Sequence, residues 1–125
     1  MASLPESASK EWENHTDPSV LATTNTDGIP NAIYVTCVRK FDEETFIIAD
    51  NYLSKTRANL LAGSKGALLF ITKEMHAFQV KGSLEYHTEG DYFENMKTWN
   101  IKGYPGHGAV VLRVEEVFNG AEKLA

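Results

Sequence analysis

The segment HAFQVKGSLEYH, residues 76–87, sets apolar Phe78, Val80, Leu84 and Tyr86 against polar Gln79, Lys81, Ser83 and Glu85. A period of two belongs to a strand with one buried face and is incompatible with a helix. Five more segments read as strands: SVLATTN (19–25), NAIYVTCVRKF (31–41), TFIIAD (45–50), GALLFIT (66–72) and AVVLRVEEVF (109–118). In the second of these, Ala32, Tyr34, Thr36 and Val38 are expected on one face, with Ile33, Val35, Cys37 and Arg39 on the other. Turn residues follow or precede most strands, including TDG with Gly28 and the acidic DEE. Six strands joined mostly by tight turns specify a mainly β protein, an antiparallel barrel rather than a βαβ sheet.

Three short helices interrupt the strands. Residues 7–14 are polar except for Ala8 and Trp12, and residues 88–101 carry an apolar stripe of Tyr92, Phe93, Met96 and Trp99. KGYPGHG (102–108) is a loop. With 125 residues and no repeat, linker or low-complexity tract, residues 1–125 are expected to form a single domain.

The net charge of −5 disfavours non-specific nucleic-acid binding. No apolar run reaches the length of a membrane span, and no leader is legible at the N-terminus. The one cysteine, Cys37, has no disulfide partner and suits a reducing compartment, so a cytoplasmic location is expected. Cys37 shares a face with Ile33 and Val35 and reads as a buried, inert thiol. His15, His76, His87 and His107 lack ligand spacing, and no metal site is expected.

The third helix, in chain order the second, is the informative one. In NYLSKTRANLLAG (51–63), Ser54 reads as N-cap and Gly63 as the stop. Its first turn then holds Lys55, Thr56 and Arg57. Cations there oppose the helix dipole, a penalty of ~0.3–1 kcal/mol each at low salt. A bound anion would reverse the sign: free backbone N–H groups, the Ser54 and Thr56 hydroxyls and two cations form a phosphate site. The alternative is that Ser54 only caps and the cations point into water. No glycines precede Lys55 as a Walker motif requires, and no dinucleotide fingerprint is present.

The run TFIIADNYLSKTRANLLAGSKGALLFIT (45–72) resembles the signature of the FMN-binding split-barrel family, which includes the pyridoxamine 5′-phosphate oxidases and small FMN-binding proteins. Asn51-Tyr52, Ser54, Lys55 and Thr56 fall on the family turn, and Lys55-Thr56-Arg57-Ala58-Asn59 is similar to the Lys-Thr-x-Ala-Asn run of the small FMN-binding proteins. The resemblance implies a six-stranded antiparallel split β-barrel of Greek-key type with two or three short helices. It also implies FMN as cofactor, bound at the interface of a homodimer. Ser54, Lys55 and Thr56, helped by Arg57, would hold the phosphate. Ala32, Ile33, Tyr34, Val35 and Thr36, with Asp50 and Asn51, would hold the ribityl chain and ring.

Two departures accompany the resemblance. Tyr34 stands where the oxidases carry a second phosphate-binding arginine. The oxidases' substrate-binding C-terminal segment is not seen, so pyridoxamine oxidase activity is not expected. Trp99 and Tyr104 read either as core and loop residues or as a cover over a flavin in the facing subunit. His107 is either a surface residue or part of a loop that closes over a cofactor. No residue pair is set up as general acid and base. The expected function is that of a flavin-dependent oxidoreductase or electron-transfer protein, with an electron-donor protein or a nicotinamide nucleotide as partner. The alternatives are a flavin storage or sensing module, or a split barrel that binds haem or a deazaflavin.

Overall fold

A computed structural model describes residues 2–125. The chain runs α1 (Glu6–Glu13), β1 (His15–Thr24), β2 (Pro30–Val35), β3 (Val38–Asp42), β4 (Thr45–Asp50), α2 (Ser54–Leu61), β5 (Lys65–Thr72), β6 (Ala77–His87), α3 (Asp91–Trp99), β7 (Gly108–Asn119) and β8 (Glu122–Lys123). The sheet is antiparallel throughout, in the order β2-β1-β5-β6-β7-β4-β3, with short β8 beside β7. One core takes side chains from every strand of that path, including Leu21, Val35, Val38, Phe46, Ile48, Leu68, Phe70, Val80 and Leu112. The sheet therefore curls around a single interior. The mainly β antiparallel architecture agrees with the sequence, but among the described residues the strands number eight rather than six.

Of the two extra strands, one is the short β8 and the other has a local cause. Residues 31–41 do not form one strand; they break at Thr36 and Cys37 into β2 and β3. Cys37 and Val38 are consecutive and both buried, and Arg39 is exposed. The expected alternation thus reverses at this point, with Val38 inward and Arg39 outward. Val35 and Val38 both enter the interior while Cys37 packs on the other side with Met96, and a regular strand cannot bring residues three apart to one face, so the chain turns a corner here. β2 pairs with β1 before the corner, and β3 pairs with β4 after it. β2 and β3 are the two ends of the hydrogen-bonded path, so the barrel is split where they meet.

The N-terminal helix plugs one end of the interior. Trp12 is 6% exposed and packs edge-on against Phe46 and Phe70, with ring centroids 5.0 Å away in each case. On the other side of β4, Met96 of α3 packs against Ile47, Ala49, Cys37 and Ala109, flanked by Tyr92, Phe93 and Trp99 as the apolar stripe requires. β4 is covered on both faces, and all six of its residues are buried. At the β6–β7 bulge, a Cβ on Gly82 would lie 1.8 Å from the Arg113 carbonyl oxygen, so only glycine fits. Among the described residues, no helix is long and apolar enough to cross a membrane.

Candidate functional site

Asp50 ends β4 on the same face as Phe46 and Ile48, which points its carboxylate into the interior at zero exposure. A buried charge needs partners. Arg57 reaches back from α2 and donates from Nε at 2.5 Å and Nη2 at 3.0 Å. The Tyr86 hydroxyl donates at 2.5 Å, and the Leu53 N–H at 3.0 Å. Gly108 leaves room for Tyr86: a Cβ there would lie 2.5 Å from its ring. Burial pushes the Asp50 carboxyl up, but the donors from Arg57, Tyr86 and Leu53 outweigh it and hold it below the usual carboxylate value. Burial and the same carboxylate push the Tyr86 hydroxyl up to about 12.

This arrangement revises the reading of α2. Leu53, not Ser54, is the N-cap, and no side chain caps it; Ser54 is the first helical residue and its N–H donates to the Tyr52 carbonyl. Arg57 is not a free cation, because the Asp50 carboxylate neutralises it. Lys55 is exposed and, among the described residues, makes no ion pair. Thr56 is buried; its hydroxyl accepts from Asn31 Nδ2 at 3.0 Å. Asn59 Nδ2 donates to the Thr23 hydroxyl at 2.9 Å, so the inner face of α2 is fastened to β1 and β2 by polar groups.

A cleft of about 300 Å³ opens at the split. Ile33, Tyr34, Val35 and Thr36 of β2 and its end line it, with Asn51 and Tyr104 opposite. Cys37, Ala49, Tyr52 and Leu53 complete the lining. These four were missed as site residues. The pairing of β4 with the β2–β3 corner, through the Ala49 N–H and the Cys37 carbonyl, brings Cys37 and Ala49 to the cleft floor. Tyr52 immediately follows Asn51 in the turn after β4, and that adjacency is its signal in the sequence. Tyr34 is 76% and Tyr52 72% exposed, and Tyr52 and Tyr104 meet edge-on at 5.6 Å. No carboxylate, imidazole or lysine belongs to this lining.

The remaining expected residues lie around the cleft. Ala32 precedes the lining segment on β2 and is exposed. Asp50 and Arg57 sit behind the wall as an ion pair, and Ser54 and Lys55 are exposed at the helix start. Trp99 stands apart from the lining: its Nε1 donates to Asn95 Oδ1 at 2.9 Å, and Arg39 lies 5.2 Å over its ring. His107 is exposed, and its N–H donates to the Asp50 carbonyl at 2.8 Å.

Comparison with known proteins bears on this geometry. The family model described as pyridoxamine 5′-phosphate oxidase matches residues 6–119. An uncharacterised protein of Methanocaldococcus jannaschii, MJ0282, is 33% identical over 121 residues, covering 93% of this chain and 80% of that protein. The pyridoxine/pyridoxamine 5′-phosphate oxidase of Brucella canis is 33% identical over 79 residues, 62% of this chain but only 38% of the enzyme. Among solved structures, HupZ of Group A Streptococcus superposes with a TM-score of 0.83 at 26% identity, covering 98% of both chains. An FMN-binding protein of Syntrophomonas wolfei superposes with a TM-score of 0.71 at 21% identity, covering 86% of this chain and 76% of that one. The same fold also carries an F420 reductase and a haem-binding protein of Mycobacterium smegmatis, at 16% and 19% identity.

Proposed function

The chain belongs to the pyridoxamine 5′-phosphate oxidase family, and from that premise we propose that it is a flavoprotein holding FMN at the split of the barrel. The proposal extends to electron transfer or flavin-dependent oxidoreduction. The observation that carries it is the lining of the cleft: an apolar floor, an aromatic rim and no carboxylate, imidazole or lysine. Such a lining suits a planar ring system whose own chemistry is redox. β2 is an end strand, so one of its edges has backbone donors and acceptors available to the polar rim of a flavin. Ser54, Lys55 and the start of α2 would hold the phosphate, with Lys55 as the principal cation because Arg57 is already paired. When bound, FMN supplies the transfer of electrons; the protein sets its position and excludes water.

A cleft of about 300 Å³ takes only part of such a ligand, and a second copy of the chain would cover the rest. Tyr34, Val20 and Leu69 form one outward row across β2, β1 and β5, beside the row Ala32, Ala22 and Ala67. Tyr34 and Leu69 are exposed, and this apolar face runs into the cleft at Tyr34. A homodimer through this face is part of the proposal. A cytoplasmic, reducing setting rests on the single free thiol of Cys37. Oxidation of pyridoxamine phosphate is not proposed, since the match spans 38% of the Brucella enzyme.

The test is the visible spectrum of the purified protein after separate incubation with FMN, F420 and haem, followed by desalting. Retention of FMN alone is the expected result. Exclusive retention of haem or of the deazaflavin would overturn the FMN assignment. Anaerobic addition of a nicotinamide nucleotide then distinguishes turnover from storage: bleaching of the flavin band marks an oxidoreductase.

A further inference from the structure

The loop after α3 has little to hold it in place by sequence alone. It contains Gly103 and Gly106, both at positive φ (93° and 54°), and residues 101–105 are exposed. Yet both ends are tied to the two residues that finish β4 and begin the turn into α2. At one end, Asn100 and Asn51 exchange side-chain hydrogen bonds: Asn51 Nδ2 donates to Asn100 Oδ1 at 3.0 Å, and Asn100 Nδ2 donates to Asn51 Oδ1 at 2.8 Å. At the other end, the Gly106 N–H donates to the same Asn51 Oδ1 at 3.0 Å, and the His107 N–H donates to the Asp50 carbonyl. A backbone N–H can only donate, so it fixes which side of the Asn51 amide is oxygen, and that fixes Asn100 in turn. Asn51 is 6% exposed while Asn100 and Gly106 are half-buried, so water competes with these bonds from one side only.

We infer that the Asn51–Asn100 clasp is the positioning device that holds Tyr104 as a wall of the cleft and thereby governs how fast a planar ligand leaves. Neither residue needs to touch the ligand's reacting atoms for this. Asn51 lines the cleft, Asn100 does not, and the loop they close delivers Tyr104 to Tyr52 at 5.6 Å. Only an amide at both positions satisfies the pair. Aspartate at position 100 keeps the acceptor for Asn51 Nδ2 but loses the donor to Asn51 Oδ1, and alanine loses both. The identity of the ligand rests on the FMN reading; the clasp does not.

The experiment has a ligand-free arm and a ligand-bound arm. In the ligand-free protein, amide exchange measured by NMR reports Gly106 and His107 directly. Both are expected to exchange at least about tenfold faster in Asn100→Ala, with Asn100→Asp between it and wild type, while Val110 and Leu112 amides stay protected. Protection of Gly106 retained in Asn100→Ala would overturn the clasp. Loss of protection at Val110 and Leu112 as well would reduce it to a general stability contact and also overturn it. In the second arm, FMN release is timed for wild type, Asn100→Ala, Tyr104→Ala and the double variant. Both single variants are expected to release FMN faster, and the double variant no faster than Tyr104→Ala, since both changes remove the same wall. Release rates that multiply in the double variant would overturn the gating role. If wild type takes up no FMN, the flavin reading falls, and the exchange arm alone upholds or overturns the clasp.

Discussion

Replacing Arg57 with methionine isolates the most consequential charge in the structure. Methionine keeps much of the aliphatic stem but removes the guanidinium, so the buried Asp50 carboxylate loses donors at 2.5 and 3.0 Å and keeps those of Tyr86 and Leu53. Breaking a buried ion pair from one side costs about 3–5 kcal/mol. Arg57 is 35% exposed, which lets water reach the site and lowers the expected loss to about 2–4 kcal/mol, a large part of a domain's ~5–15 kcal/mol. The assay is urea unfolding at a series of pH values, with the slope held to that of wild type. In wild type the folded Asp50 pKa lies below its usual value near 3.8, so its stabilisation is present above that value and is lost as pH falls through the folded pKa. Without Arg57, burial still raises the carboxyl while its charged partner and two donors are gone, so the folded pKa moves up from its wild-type position. The deficit of the variant is then full at neutral pH and shrinks as acid protonates Asp50. Adding Asp50→Asn to Arg57→Met is expected to recover part of the loss at neutral pH, because a neutral amide oxygen still accepts from Leu53. A deficit under about 0.5 kcal/mol at neutral pH, or one independent of pH, would refute the assignment of this pair as the clamp on the β4–α2 turn.

Lys55→Ala is expected to weaken FMN binding by about ten- to a hundredfold, measured by fluorescence titration, with little change in the melting temperature. Unchanged affinity would remove Lys55 from the phosphate site. Trp12→Ala withdraws the plug from Phe46 and Phe70 and is expected to cost about 3–5 kcal/mol in urea unfolding. Gly82→Ala places a Cβ against the Arg113 carbonyl and is expected to cost at least about 2 kcal/mol, read in the same way; a neutral result would mean that the bulge relaxes freely.

The sequence by itself located the three helices and six strand-forming segments, because period-two and 3.6-residue patterns are local and the side chains that make them are close in the chain. It also picked out the turn after β4 as the unusual place, since Lys55 and Arg57 contradict the local dipole. It could not show that the two cations differ. Arg57 is neutralised by a carboxylate whose burial depends on β4 being covered on both faces, and which also accepts a hydrogen bond from Tyr86 of β6, later in the chain. The corner at Cys37 was hidden for a similar reason: a run of β-forming residues reads as one strand until the sheet requires Val35 and Val38 both inside. The clasp of Asn51 with Asn100 joins residues 49 positions apart, and an asparagine carries no sequence signal of its partner. Periodicity separated the faces within each regular strand, whereas only the curled sheet decided where a face changes, which charges meet, which polar groups find partners and where the barrel opens, because those contacts exist only after distant strands have paired.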